Sequence, residues 1–270
     1  MSKIFTPSAA GTPRSPAQVY EEQFVPALFR PWGPVLCEAA HIGPGQCVLD
    51  VACGTGALTA AVAGRVSPGG AVLGLDVNPG MLAVARRKHP EIEWHEGRAE
   101  SLPFAGASFD AVVSQFGLMF FEDRVAALRE MKRVLRPGGC LAVAVCDGLA
   151  RSPGYAALAA LLDRLFGERV GNAFRAPFVL GDVATLQTLC ADAGIDEADV
   201  AQHEGTVRFD SIDALVSTER ACVWTLGGLL DDDQFERLRR EAQDALRPFV
   251  EPGSGVAFAM PALLITAQKR

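Results

Sequence analysis

Two carboxylates set the chemistry open to this sequence. Asp50 lies in an apolar run, Cys47-Val48-Leu49-Asp50-Val51, directly before the glycine-rich turn Ala52-Cys53-Gly54-Thr55-Gly56. Asp76 closes a second apolar run, Ala71 to Leu75, 26 residues further on. Glycines where a strand turns into a helix let a ligand approach backbone that a Cβ would shield. An acid at a strand tip can accept both hydroxyls of a ribose diol, an arrangement water reproduces poorly. Turn and acid together point to a nucleotide-like ligand. Such turns also occur as plain packing, and Asp76 could cap the next helix, although Asn78 already fills that role.

A dinucleotide-binding enzyme would use a GxGxxG turn to present helix N–H groups to a pyrophosphate. Here the pattern is Ala52-x-Gly54-x-Gly56, and the third glycine would fall at Thr59. An inward carboxylate at Asp50 would repel a pyrophosphate but suits a cationic ligand with an amino group. The sign of the charge therefore argues against a nicotinamide cofactor.

These residues need strands and helices to hold them, and the chain alternates short apolar runs with amphipathic stretches, the pattern of parallel α/β units. Strands are expected at 47–51, 71–75, 92–95, 109–114 and 140–146. Helices are expected at 57–66, from Asn78-Pro79 to about Lys88, and before Arg136-Pro137-Gly138-Gly139, where Leu128, Met131 and Leu135 share one face. Beyond Asp147 the rhythm changes. Residues 154–166 read as helix, 172–181 as loop, and Asp182 as the cap of a helix reaching Ala193. Residues 200–209 form a sixth strand, helices follow at 211–225 and 231–246, and 256–268 is a closing strand whose Pro261 implies an edge or a bulge. The expected organisation is a flexible leader (1–15), then one domain over 16–270. Its core takes in 42–147, 182–210 and 255–270, and its cap gathers 16–41, 148–181 and 211–254.

Composition limits the partners. The 270 residues are 49% hydrophobic, enough for a sizeable core, and carry a formal net charge of −7. An acidic chain without a Lys/Arg run is a poor phosphate-backbone binder, so no nucleic acid is expected. No apolar stretch reaches the roughly 18 residues of a membrane span. The seven cysteines, at 37, 47, 53, 140, 146, 190 and 222, form no CxxC pair. They read as reduced thiols of a cytoplasmic protein rather than as metal ligands. Oligomeric state stays open.

The segment Val48 to Gly56, followed by Val72 to Val77, Glu96 to Phe104, Ser108 to Gly117 and Val134 to Gly139, resembles the class I S-adenosyl-L-methionine (SAM)-dependent methyltransferases. The nearest branch is the small-molecule one that contains the ubiquinone/menaquinone methyltransferases and the methyltransferase type 11 domains. The resemblance implies a Rossmann-like, doubly wound, seven-stranded α/β sheet, mostly parallel with an antiparallel last strand, under a helical cap. It implies SAM as cofactor and S-adenosyl-L-homocysteine as product. By the same resemblance the turn with Asp50, Ala52, Gly54 and Gly56 takes the methionine half, and Asp76 the ribose. Val77 and Met81 pack on adenine, Ala99 meets it through its N–H, and Arg98 and Glu100 flank it. Position 98 departs from the family's usual aspartate, and position 52 from its usual glycine. Ser114, Gln115 and Phe116 floor the sulfonium end, where Phe116 offers a π face to the cation. Tyr20, Phe24 and Trp32 belong to a lid. All these aromatics also suit ordinary packing.

The expected activity is in-line methyl transfer to a small molecule, with a SAM-binding protein lacking turnover or a nicotinamide-dependent oxidoreductase as alternatives. No Asn-Pro-Pro-Tyr-type motif follows strand four, which agrees with a small-molecule acceptor. Among the histidines (41, 89, 95, 203), His203 is the best-placed base, beside Glu204 at the cap, although it also reads as a solvent-facing residue.

Overall fold

The computed structural model describes residues 14–222, 224–253 and 255–270. Most of the expected leader, residues 1–13, lies outside the described residues. Among the described residues nine strands form two sheets: β1 (Cys47–Val51), β2 (Ala71–Asp76), β3 (Glu93–Glu96), β4 (Phe109–Gln115), β5 (Leu135–Cys146), β6 (Asp199–His203), β7 (Thr206–Phe209), β8 (Val256–Ala259) and β9 (Ala262–Gln268). The large sheet runs β3-β2-β1-β4-β5-β9-β6. The pairs β1–β2, β1–β4, β2–β3 and β4–β5 are parallel, and β9 lies antiparallel to both neighbours. Strands covered on both faces need unbroken apolar runs, and Val48, Leu49, Val51, Ala111, Val112 and Val113 are accordingly buried.

The helices are α1 (Pro16–Val19), continued by a π-helical stretch over Tyr20–Phe29, then α2 (Trp32–Ala39), α3 (Ala57–Val66), α4 (Pro79–Lys88) and α5 (Arg124–Val134). They continue as α6 (Pro153–Phe166), α7 (Glu168–Arg175), α8 (Val183–Asp192), α9 (Ile212–Ala221) and α10 (Asp232–Ala245). Their starts are set by local chemistry. Asn78 accepts from Gly80 and Met81 N–H ahead of α4, Asp182 from Thr185 N–H ahead of α8, and Asp231 forms a capping box with Gln234 ahead of α10.

Three expectations need correction. The run 200–209 is two strands, not one. It breaks at Glu204-Gly205, after which β7 leaves the large sheet to pair with β8. The break has a steric cause, since a Cβ on Gly205 would stand 2.4 Å from the Trp32 ring. The closing run 256–268 likewise splits at Met260-Pro261, the Met260 N–H donating to the Gly205 carbonyl. Finally, 172–181 is not a loop: α7 runs to Arg175 and a 3-10 turn covers Ala176–Phe178.

Candidate active site

In an open α/β sheet a ligand crevice forms beyond the carboxyl ends of the strands, where the strand order reverses. Here that point lies between β1 and β4. The cavity found there measures about 1340 Å³ with its open mouth. Strand tips supply its floor: Ala52 and Gly54 after β1, Asp76 at β2, and Gln115, Phe116 and Gly117 at and after β4.

The two central turns interlock. Ala52 and Phe116 both adopt left-handed backbone, at φ +60° and +55°. Gly117 must lack a side chain, because its Cβ would stand 2.6 Å from that of Ala52. Asp76 ties the neighbouring strand to the turn. One carboxylate oxygen accepts the Gly54 N–H at 2.8 Å and the other the Asn78 N–H at 2.8 Å. Burial pushes the Asp76 carboxyl up, and those backbone donors pull it back. The Cys53 N–H donates to the Leu75 carbonyl and the Gly56 N–H to the Cys53 carbonyl. The Cys53, Gly54 and Gly56 N–H groups are thus engaged within the protein.

Of the residues expected at the cofactor, Tyr20, Phe24, Ala52, Gly54, Asp76, Val77, Met81, Arg98, Ala99, Glu100, Gln115 and Phe116 share the cavity wall. Val77 is 59% exposed at the mouth, an apolar side chain that lacks a cover. Arg98 pairs with Glu122 at 2.8 Å and Glu100 at 3.4 Å, forming a charged rim. The Gln115 amide donates to the Phe29 carbonyl at 3.0 Å, while its Oε1 is buried without a partner.

Asp50, Gly56, Ser114 and Trp32 do not line the wall. Asp50 sits behind the turn, with Oδ2 accepting from Thr59 Oγ1 at 2.6 Å and Oδ1 buried without a partner. Burial pushes its carboxyl up to about 7, and the nearby Asp76 adds to the rise. Gly56 is a packing position: at φ +85°, any Cβ would stand 2.6 Å from the Trp94 ring. Ser114 is fully buried. Trp32 supports the wall from behind, its ring T-shaped to Phe116 at 5.6 Å. His203 is half-buried at the end of β6, opposite Ala262, and is not a cavity residue.

Residues from all three segments expected to form the cap line the cavity. Tyr20, Phe24 and Phe29 come from the N-terminal helix, Tyr20 stacking on Phe29 at 5.1 Å. Tyr155, Phe174 and Phe178 come from the second segment, and Glu219, Cys222, Trp224 and Thr225 from the third. The polar members of this group escape a reading of sequence. Glu219 lies in Ser-Thr-Glu-Arg, which reads as a solvated helix face, yet it is 2% exposed. Thr225 Oγ1 donates to its Oε2 at 2.9 Å. Burial pushes Glu219 up to about 7 against hydrogen bonds from Thr225 and Tyr155.

Residues 49–143 match the family described as a methyltransferase domain. A demethylmenaquinone methyltransferase of Chlorobaculum parvum is 53% identical over 93 residues, 34% of this chain and 38% of that protein. A ubiquinone/menaquinone biosynthesis C-methyltransferase UbiE of Hahella chejuensis is 42% identical over 122 residues, 43% of this chain and 49% of its own. The solved YcgJ protein of Bacillus subtilis superposes with a TM-score of 0.59 at 20% identity, covering 88% of this chain and 97% of its own, a likeness of fold. The chain thus matches a methyltransferase domain from β1 into β5, the part of the sheet whose strand tips floor the crevice. Its relatives in sequence include the quinone methyltransferases just described, of which the chain spans less than half the length.

Proposed function

We propose that this chain transfers the methyl group of SAM to a small-molecule acceptor, leaving S-adenosyl-L-homocysteine. The observation that carries this reading is the state of the β1 turn. A pyrophosphate needs free N–H donors at such a turn, but the Gly54 and Gly56 N–H groups already donate to Asp76 and to the Cys53 carbonyl. What faces the ligand is carboxylate, carbonyl and aromatic ring, which suits a cationic nucleoside. SAM supplies an activated methyl on a sulfonium.

Every other task belongs to the chain. Asp76 holds the ribose diol, Val77, Met81 and Ala99 enclose the adenine, and the Ala52–Gly54 turn receives the amino-acid end. Asp50 acts from behind as a buried negative charge. Gln115 and Phe116 bound the methyl. Tyr20 and Phe24 close over the site and exclude water, and reaction then depends on holding the nucleophile about 3–3.5 Å from the methyl carbon. The cavity wall runs from the strand tips to Tyr155, Phe174 and Glu219, so an acceptor can sit beside the cofactor. The acceptor half is mostly aromatic, so an apolar or ring-containing small molecule fits it.

Among the described residues no helix is long and apolar enough to cross a membrane, and none group as a metal site. All seven cysteines are unpaired thiols, which supports a reducing, cytoplasmic location.

The test is transfer of a labelled methyl from SAM across phenols, quinones, amines, sterols and carboxylates. Labelled product from one class is expected. Binding of SAM with no transfer to any class would reduce the chain to a SAM-binding protein.

A further inference from the structure

Glu219 lies on α9 with its carboxyl buried, yet it stands on the wall of the cavity. Three elements meet it there. Tyr155 on α6 and Thr225 beyond α9 donate hydrogen bonds to its carboxyl, and the thiols of Cys146, at the end of β5, and Cys222 lie within electrostatic reach. Among the described residues no cation pairs with it. A carboxyl in such a place is costly when ionised, and two hydroxyl donors leave part of its capacity to accept hydrogen bonds unused.

Its position relative to the reacting end follows from the sheet register. Gln115, at the tip of β4, pairs with Ala144, so Cys146 lies two residues beyond it, roughly 7 Å at a strand's rise. Glu219, within electrostatic reach of Cys146, shares the cavity wall with Gln115 and Phe116. The rings of Phe174 and Phe178 flank Tyr155 at 5.8 Å each, giving this end flat apolar walls around one polar spot.

We propose that Glu219 is the general base of the transfer, taking the proton from a ring hydroxyl of an uncharged aromatic acceptor held between Phe116 and the cap. This rests on the methyltransferase reading above. In the step, the O–H proton passes to a Glu219 carboxylate oxygen and the electron pair left on the acceptor oxygen forms the O–CH3 bond. The bond between methyl carbon and sulfur breaks, and its pair returns to sulfur as a neutral thioether. Burial holds Glu219 near 7, where a base is both partly ionised and strong enough to accept a proton at neutral pH.

The test uses 4-nitrophenol as probe, titrated by absorbance on the wild-type protein and on Glu219→Gln, each with and without S-adenosylhomocysteine. A neighbouring carboxylate disfavours phenolate, so the bound probe should ionise at least one pH unit higher on the wild type than on the variant. Equal midpoints, or no binding of the probe to the wild type, would overturn the proposal. With a hydroxylated acceptor, Glu219→Gln should lower kcat at least a hundredfold and leave S-adenosylhomocysteine affinity unchanged. Tyr155→Phe, which removes a bond to the carboxylate, should move the acid limb of the pH profile upward. An unmoved limb contradicts the assignment even if the glutamine variant folds poorly. If S-adenosylhomocysteine itself does not bind, the cofactor reading fails, while the nitrophenol midpoints still report on Glu219.

Discussion

Ala52 and Phe116 hold left-handed backbone at the tips of β1 and β4, and both stand on the cavity wall. Such conformations cost on the order of 1–3 kcal/mol each and persist where surrounding contacts over-determine them. Ala52→Gly relieves one of them, so a gain of up to about 1 kcal/mol in urea unfolding is expected, with the entropy of glycine in the unfolded chain limiting it. Asp76→Ala removes the acceptor for the proposed ribose diol together with the tether on the Gly54 N–H. Its affinity for S-adenosylhomocysteine should fall about tenfold or more, ~1.4 kcal/mol by calorimetry. Unchanged affinity would show that Asp76 is not the ribose ligand. The motif residues at these tips could be found in sequence because their types are set by backbone geometry and ligand approach. Glu219 could not, because only tertiary packing turns a polar helix position inward. His203 attracted attention by type, but it does not stand on the cavity wall.

At the scale of elements, β1, β2, β4 and β5 follow their apolar runs because parallel strands covered on both faces leave little freedom of composition. Periodicity fails in the second half for local steric reasons. Trp32 against Gly205 and Pro261 after Met260 interrupt runs that look continuous, and the π-helical stretch over Tyr20–Phe29 lies outside a 3.6-residue period. The α3 entry offers a direct check on what a motif glycine does. Gly56 has φ +85° and faces the Trp94 ring rather than the cavity. Gly56→Ala should therefore cost roughly 2–4 kcal/mol in stability through strain and overpacking. A fall in cofactor affinity without loss of stability would instead make Gly56 a contact residue.

For the whole molecule, two buried carboxyls held near 7 couple folding to pH. Their folded-state values lie above the unfolded ones, so the stability they confer is present at low pH and lost as pH rises from about 4 through 7. The ligand-free protein should lose on the order of a few kcal/mol over that window from these groups, measured by urea unfolding at pH 5 and 7.5. Asp50→Asn and Glu219→Gln should each flatten the dependence, and a wild-type profile that rises instead would mean that other groups dominate. A cationic cofactor beside Asp50 would oppose the loss at neutral pH. The most direct measurement is calorimetric titration of the wild-type chain at pH 7 with S-adenosylhomocysteine and, separately, with NAD. Saturable one-to-one binding of S-adenosylhomocysteine with no heat from NAD is the expected result; heat from NAD and none from S-adenosylhomocysteine would contradict it.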